Sequence, residues 1–102
     1  SHQFLKLMRA KARVATTTDA YLGYLKAWTQ TDFSSDVVDL ETNILVVAGA
    51  HDGALGPDVM EKTYLKQLKN VEMLTIEGAG HYPTQETPVE LFTIIEKHLQ
   101  SF

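Results

Sequence analysis

At 102 residues, with 44% hydrophobic and 22% charged residues, the sequence has a globular balance and room for at most one domain. Its formal net charge of -4 leaves no surplus of positive charge to release counterions from a phosphate backbone, so no nucleic-acid partner is expected. With no cysteine there is no disulfide framework, thiolate metal site or thiol nucleophile, and a reducing, cytoplasmic setting is expected.

In chain order, Phe4, Leu5, Met8 and Ala12 recur at helical spacing with Lys6, Arg9, Lys11 and Arg13 mostly between them. Thr16-Thr17-Thr18-Asp19 offers N-caps for a second helix with an apolar stripe of Tyr21, Leu22, Leu25 and Trp28. Residues 31–36, Thr-Asp-Phe-Ser-Ser-Asp, break the pattern and read as a loop. Residues 44–48 are a β-branched apolar run of the kind found in strands covered on both faces. The whole apolar run, 44–50, is far too short to span a membrane, so no membrane partner is expected. Pro57 and Asp58 suit the first turn of a helix whose apolar face is Val59, Met60, Tyr64, Leu65 and Leu68. Residues 71–76 read as a second strand. Thr87-Pro88-Val89-Glu90 is a capping-box pattern opening a last helix, with Leu91, Phe92, Ile95 and Leu99 as its buried face.

Strand, helix, strand, helix implies a parallel βαβα unit preceded by helices, an α/β class. Residues 1–39 form the helical part and residues 40–102 the βαβα part. A parallel sheet of two strands has open edges and a small core, so the unit reads as a piece of a larger sheet. Ligands of open α/β sheets sit at the carboxyl ends of the strands. Asp52 follows the first strand and His81 the second. Neighbouring parallel strands lie roughly 4.8 Å apart, which brings such side chains within hydrogen-bond reach. A carboxylate accepting from one imidazole nitrogen fixes the tautomer and leaves the other nitrogen as a base.

Other candidates have simpler explanations. Asp58 is a fallback acid, but a helix first turn already accounts for it. His51 reads as solvated, His98 as a cation at a helix C-terminus, and His2 as a terminal residue. A metal site from His51, Asp52 and His81 is not expected, because adjacent residues on an extended loop point apart.

Two segments resemble a known family. Ile44-Leu45-Val46-Val47-Ala48-Gly49-Ala50-His51-Asp52 resembles the seventh-strand segment of the α/β-hydrolase superfamily, which ends in Gly-x-x-Asp. Gly78-Ala79-Gly80-His81-Tyr82-Pro83, followed by Glu86-Thr87-Pro88, is similar to the segment that carries that family's catalytic histidine. His81 lies 29 positions after Asp52, with one helix and one strand between, and the order acid-then-histidine matches. The resemblance runs from about Asn43, where many relatives carry proline, to Phe102. Residues 21–39 are similar to the helix leading into that strand, and the residues before them to the end of a lid.

The resemblance implies a partial α/β-hydrolase fold, with Asp52 and His81 as catalytic acid and base. It also implies no cofactor, and acyl transfer of the esterase kind on a small-molecule, ester-like substrate. The sequence departs from the family in having no Gly-x-Ser-x-Gly; Ser1, Ser34, Ser35 and Ser101 all lack the glycine flanks. A whole hydrolase of this type needs roughly 250 residues. A C-terminal fragment is therefore expected, inactive alone, with the nucleophile and one oxyanion donor supplied from elsewhere. Its expected partner is the N-terminal part of the same protein or a second copy of this chain. The alternative is a non-catalytic βαβ assembly module that self-associates through exposed strand edges.

Overall fold

A computed structural model describes residues 2–101 and divides the chain into two compact units, Ser1–Phe33 and Ser34–Phe102. The break falls ahead of the change in character read after Asp39, because residues 34–37 form a helical turn that belongs with the second unit.

The first unit is a pair of helices, α1 (His2–Ala15) and α2 (Thr18–Gln30). Phe4 and Met8, one turn apart, are the half-buried positions of α1. Thr17 caps α2: its backbone is extended and its hydroxyl accepts from the Ala20 amide at 3.2 Å. Asp19 in the first turn complements the positive end of the helix dipole. Neither helix has a buried residue, and Trp28 on the Tyr21–Leu25 stripe is 81% exposed.

The second unit opens with a single turn, α3 (Ser34–Val37), where a loop is expected from the sequence. Four residues are too few to repeat a hydrophobic period, and Asp36 within that turn favours its positive end. Strands β1 (Ile44–Gly49) and β2 (Val71–Ile76) then pair in parallel, in register from Ile44 against Val71 to Gly49 against Ile76. The architecture is thus mixed α/β, with a parallel sheet of two strands among the described residues.

The expected crossover helix is two short ones, α4 (Pro57–Lys62) and α5 (Tyr64–Gln67). Thr63 separates them. Its backbone leaves the helical region at φ -115° and ψ -87°, its amide is shared between the Val59 and Met60 carbonyls, and its hydroxyl donates to the Val59 carbonyl at 2.7 Å. After β2 comes a turn missing from the sequence reading, α6 (Pro83–Glu86), then α7 (Pro88–Gln100). The capping box expected at Thr87 is not formed. Thr87 closes α6, its amide and hydroxyl both turn back to the Pro83 carbonyl, and it makes no side-chain cap bond to α7.

The core is small and lies beneath the carboxyl ends of the strands: Ala48, Met60, Ile76 and Ala79 are the buried apolar residues among those described. The α7 face differs from expectation. Leu91, Ile94 and His98 are half-buried, whereas Phe92, Ile95 and Leu99 are exposed. One two-stranded sheet has too little surface to cover the whole apolar arc of a 13-residue helix. Among the described residues no helix is long and apolar enough to cross a membrane.

Candidate acid–base site

The two loops at the carboxyl ends of β1 and β2 are bound to each other through their backbones. The Ala50 amide donates to the Ile76 carbonyl and the His51 amide to the Ala79 carbonyl, both at 3.0 Å. This approach requires glycine at position 49, since a Cβ there would lie 2.1 Å from the Gly80 carbonyl oxygen and 2.6 Å from that of Ala79. Backbone blocks the position, so no side-chain rearrangement would relieve it.

The Asp52 amide closes a turn onto the Gly49 carbonyl at 3.1 Å. Its side chain is then held at both oxygens. Oδ1 accepts from the amides of Ala54 at 2.9 Å and Leu55 at 3.0 Å, and Oδ2 meets Nδ1 of His81 at 2.7 Å. The Asp52 side chain is only 8% exposed, against 48% for His81. The Leu55 and Ala54 amides, and then the His81 ring, stabilise the charged carboxylate and lower its pKa from 3.8 to about 2. An ionised carboxylate can only accept, so the Nδ1 position carries the proton and donates. Neutral His81 is therefore the Nδ1–H tautomer, with its Nε2 lone pair directed away from Asp52.

Tyr82 packs edge-on to the His81 ring, with centroids 5.0 Å apart and planes at 86°. The His81 backbone is held from the other side by Glu86, whose Oε2 accepts from the Gly80 amide at 3.0 Å and the Tyr82 amide at 2.9 Å. Sequence reasoning missed Glu86. The available signal is Pro83 opening a helical turn with a carboxylate three positions later, able to reach back to the amides before the turn.

Asp52 and His81 line a cleft of about 360 Å³ that is otherwise mostly apolar, with Leu55, Met60 and Tyr64 also in its lining. Asp58 sits in the first turn of α4 and does not meet His81. His51 is exposed and lies at the loop through its amide. His98 is in the last turn of α7. Among the described residues no three His, Asp or Glu side chains converge in a metal-binding cluster. Ser35 donates to Asp36 and Ser101 to the His98 carbonyl. Ser1 lies outside the described residues.

Protein-family models, curated proteins and solved structures were all compared with the chain, and none matches it.

Proposed function

We propose that Asp52 and His81 are the acid and base of a nucleophilic hydrolase of the α/β-hydrolase type, working on a small ester-like substrate with a nucleophile from outside these residues. The observation that carries this reading is the 2.7 Å contact between Oδ2 and Nδ1, made at the carboxyl ends of adjacent parallel strands. It is the arrangement that fixes an imidazole's tautomer and leaves Nε2 to take a proton. The mostly apolar cleft beside it supports a small apolar acyl or alcohol group.

In the proposed reaction Nε2 removes the proton from a hydroxyl nucleophile as its oxygen bonds to the substrate carbonyl carbon. The bond to the leaving alkoxide breaks and Nε2 returns the proton to it. Water then attacks the acyl group by the same route, releasing the acid and restoring the nucleophile. Asp52 stays ionised throughout, orients the ring and offsets the positive charge that His81 acquires.

The test is hydrolysis of a short-chain nitrophenyl ester by the protein expressed with the reading frame upstream of Gln3. Activity that falls by about 10⁴-fold in Asp52→Asn, and at least as far in His81→Ala, supports the triad. Activity equal in all three proteins, or an upstream frame without a nucleophile, overturns it. A second reading, a βαβ assembly module without catalysis, is favoured by one observation: both strands have an unpaired edge among the described residues.

A further inference from the structure

Glu86 stands outside the pair that would carry the chemistry, yet it holds the backbone on both sides of His81. One oxygen, Oε2, takes the amides of Gly80 and Tyr82, the residues immediately before and after the histidine. Two donors on one ionisable oxygen make a stronger anchor than a neutral acceptor would. The bond to Tyr82 is reciprocated, because the Glu86 amide donates to the Tyr82 carbonyl at 2.9 Å. The contact is close on the Gly80 side too: a Cβ at that position would meet both Glu86 carboxylate oxygens at 3.3–3.4 Å. The remaining support for this segment is thin. His81 is about half-exposed, α6 is a single turn, and Tyr82 makes no side-chain cap bond to it.

We infer that Glu86 is the positioning residue for His81, clamping the Gly80–His81–Tyr82 backbone so that Nδ1 stays on Asp52 while Nε2 faces the cleft. The inference rests on the acid–base reading for its consequence in turnover, but the clamp itself is a statement about the fold. Asp52 fixes the direction of the ring and Glu86 fixes the place from which the ring hangs. Loss of the second lets the histidine drift even with the first intact, and a displacement of about 1 Å at a proton-transfer group costs on the order of a hundredfold in rate.

The experiment has two arms. In the first, the 102-residue chain is studied by NMR as wild type, Glu86→Ala, Glu86→Gln and Gln85→Ala. In Glu86→Ala the amides of Gly80 and Tyr82 are expected to exchange about tenfold faster or more, and the His81 Nδ1–H signal to be lost to exchange. Glu86→Gln keeps a carbonyl oxygen and restores both signals, while Gln85→Ala, a neighbour on the same turn, matches wild type. An unchanged Nδ1–H signal in a folded Glu86→Ala protein overturns the clamp. In the second arm, on the protein carrying its upstream frame, Glu86→Ala is expected to lower kcat by about tenfold to a hundredfold with KM held. If Asp52→Asn and His81→Ala lose activity but Glu86→Ala does not, the clamp is wrong and the acid–base reading survives. If none of the three loses activity, the acid–base reading is wrong, and the NMR arm alone still decides whether Glu86 holds His81.

Discussion

Asp52 is the residue whose surroundings do most to define the site. Its carboxylate is nearly covered, yet every hydrogen bond it accepts comes from a group that favours its charged form, two amides first and then the imidazole. The folded protein therefore binds the Asp52 proton less readily than the unfolded chain does. Stability from this source is fully present above the ordinary value of 3.8 and is lost as pH falls through about 2. Asp52→Asn has no such proton to bind. The stability difference between wild type and Asp52→Asn, from urea midpoints, is expected to shrink steadily as pH falls from about 4 towards 2. A difference that stays flat across that interval would mean the amides of Ala54 and Leu55 do not hold the carboxylate as the geometry says.

At the scale of elements, two threonines that look alike in sequence behave differently. Thr17 and Thr87 both precede a helix, but only Thr17 puts its hydroxyl on the amide three residues ahead. Thr17→Ala is expected to cost α2 about 1 kcal/mol, seen as faster amide exchange at Ala20, while Thr87→Ala leaves exchange in the first turn of α7 unchanged. Equal effects at the two sites would contradict the capping assignment. The difference also shows which features the sequence carries. Both strands are legible, because Ile44–Gly49 is a continuous apolar run and Val71–Ile76 is apolar or β-branched at every position but Glu72, each closed by a glycine-containing turn. The meeting of Asp52 and His81 is legible too, since parallel strands put their following loops on one edge. The breaks are not. The backbone turns out of the helix at Thr63, although Thr93 makes the same kind of hydroxyl bond inside unbroken α7, and Thr87 is claimed by the preceding turn; neither break shows in the spacing of apolar residues. Glu86 is marked only by Pro83 three positions earlier, because a carboxylate serving two amides otherwise looks, in sequence, like any solvated glutamate.

For the whole molecule, the balance between core and surface is decisive. Four apolar residues are buried among those described, while Phe92, Leu99, Val89 and Trp28 are all more than 60% exposed. The sheet is the place where that deficit becomes directional. The Ile44 amide donates to Asn70 and the Ala50 amide to Ile76, both on the β2 side. Amides directed at one neighbour alternate along a parallel strand, so those of Leu45 and Val47 face the opposite edge, where no described strand pairs. An edge of unpaired amides beside apolar side chains is a template for another strand. The 102-residue chain alone is therefore expected to self-associate, with a light-scattering mass that rises from monomer to dimer or beyond as concentration increases. Val47→Pro removes one edge donor without touching the β1–β2 ladder, and proline is tolerated where the missing amide would face away from a partner. It is expected to shift the protein towards monomer while the circular-dichroism spectrum stays that of the folded chain. A wild-type chain that remains monomeric at high concentration would show that this edge needs no partner. Association unaffected in a folded Val47→Pro protein would move the contact from the β1 edge to the free edge of β2 or the exposed face of α7.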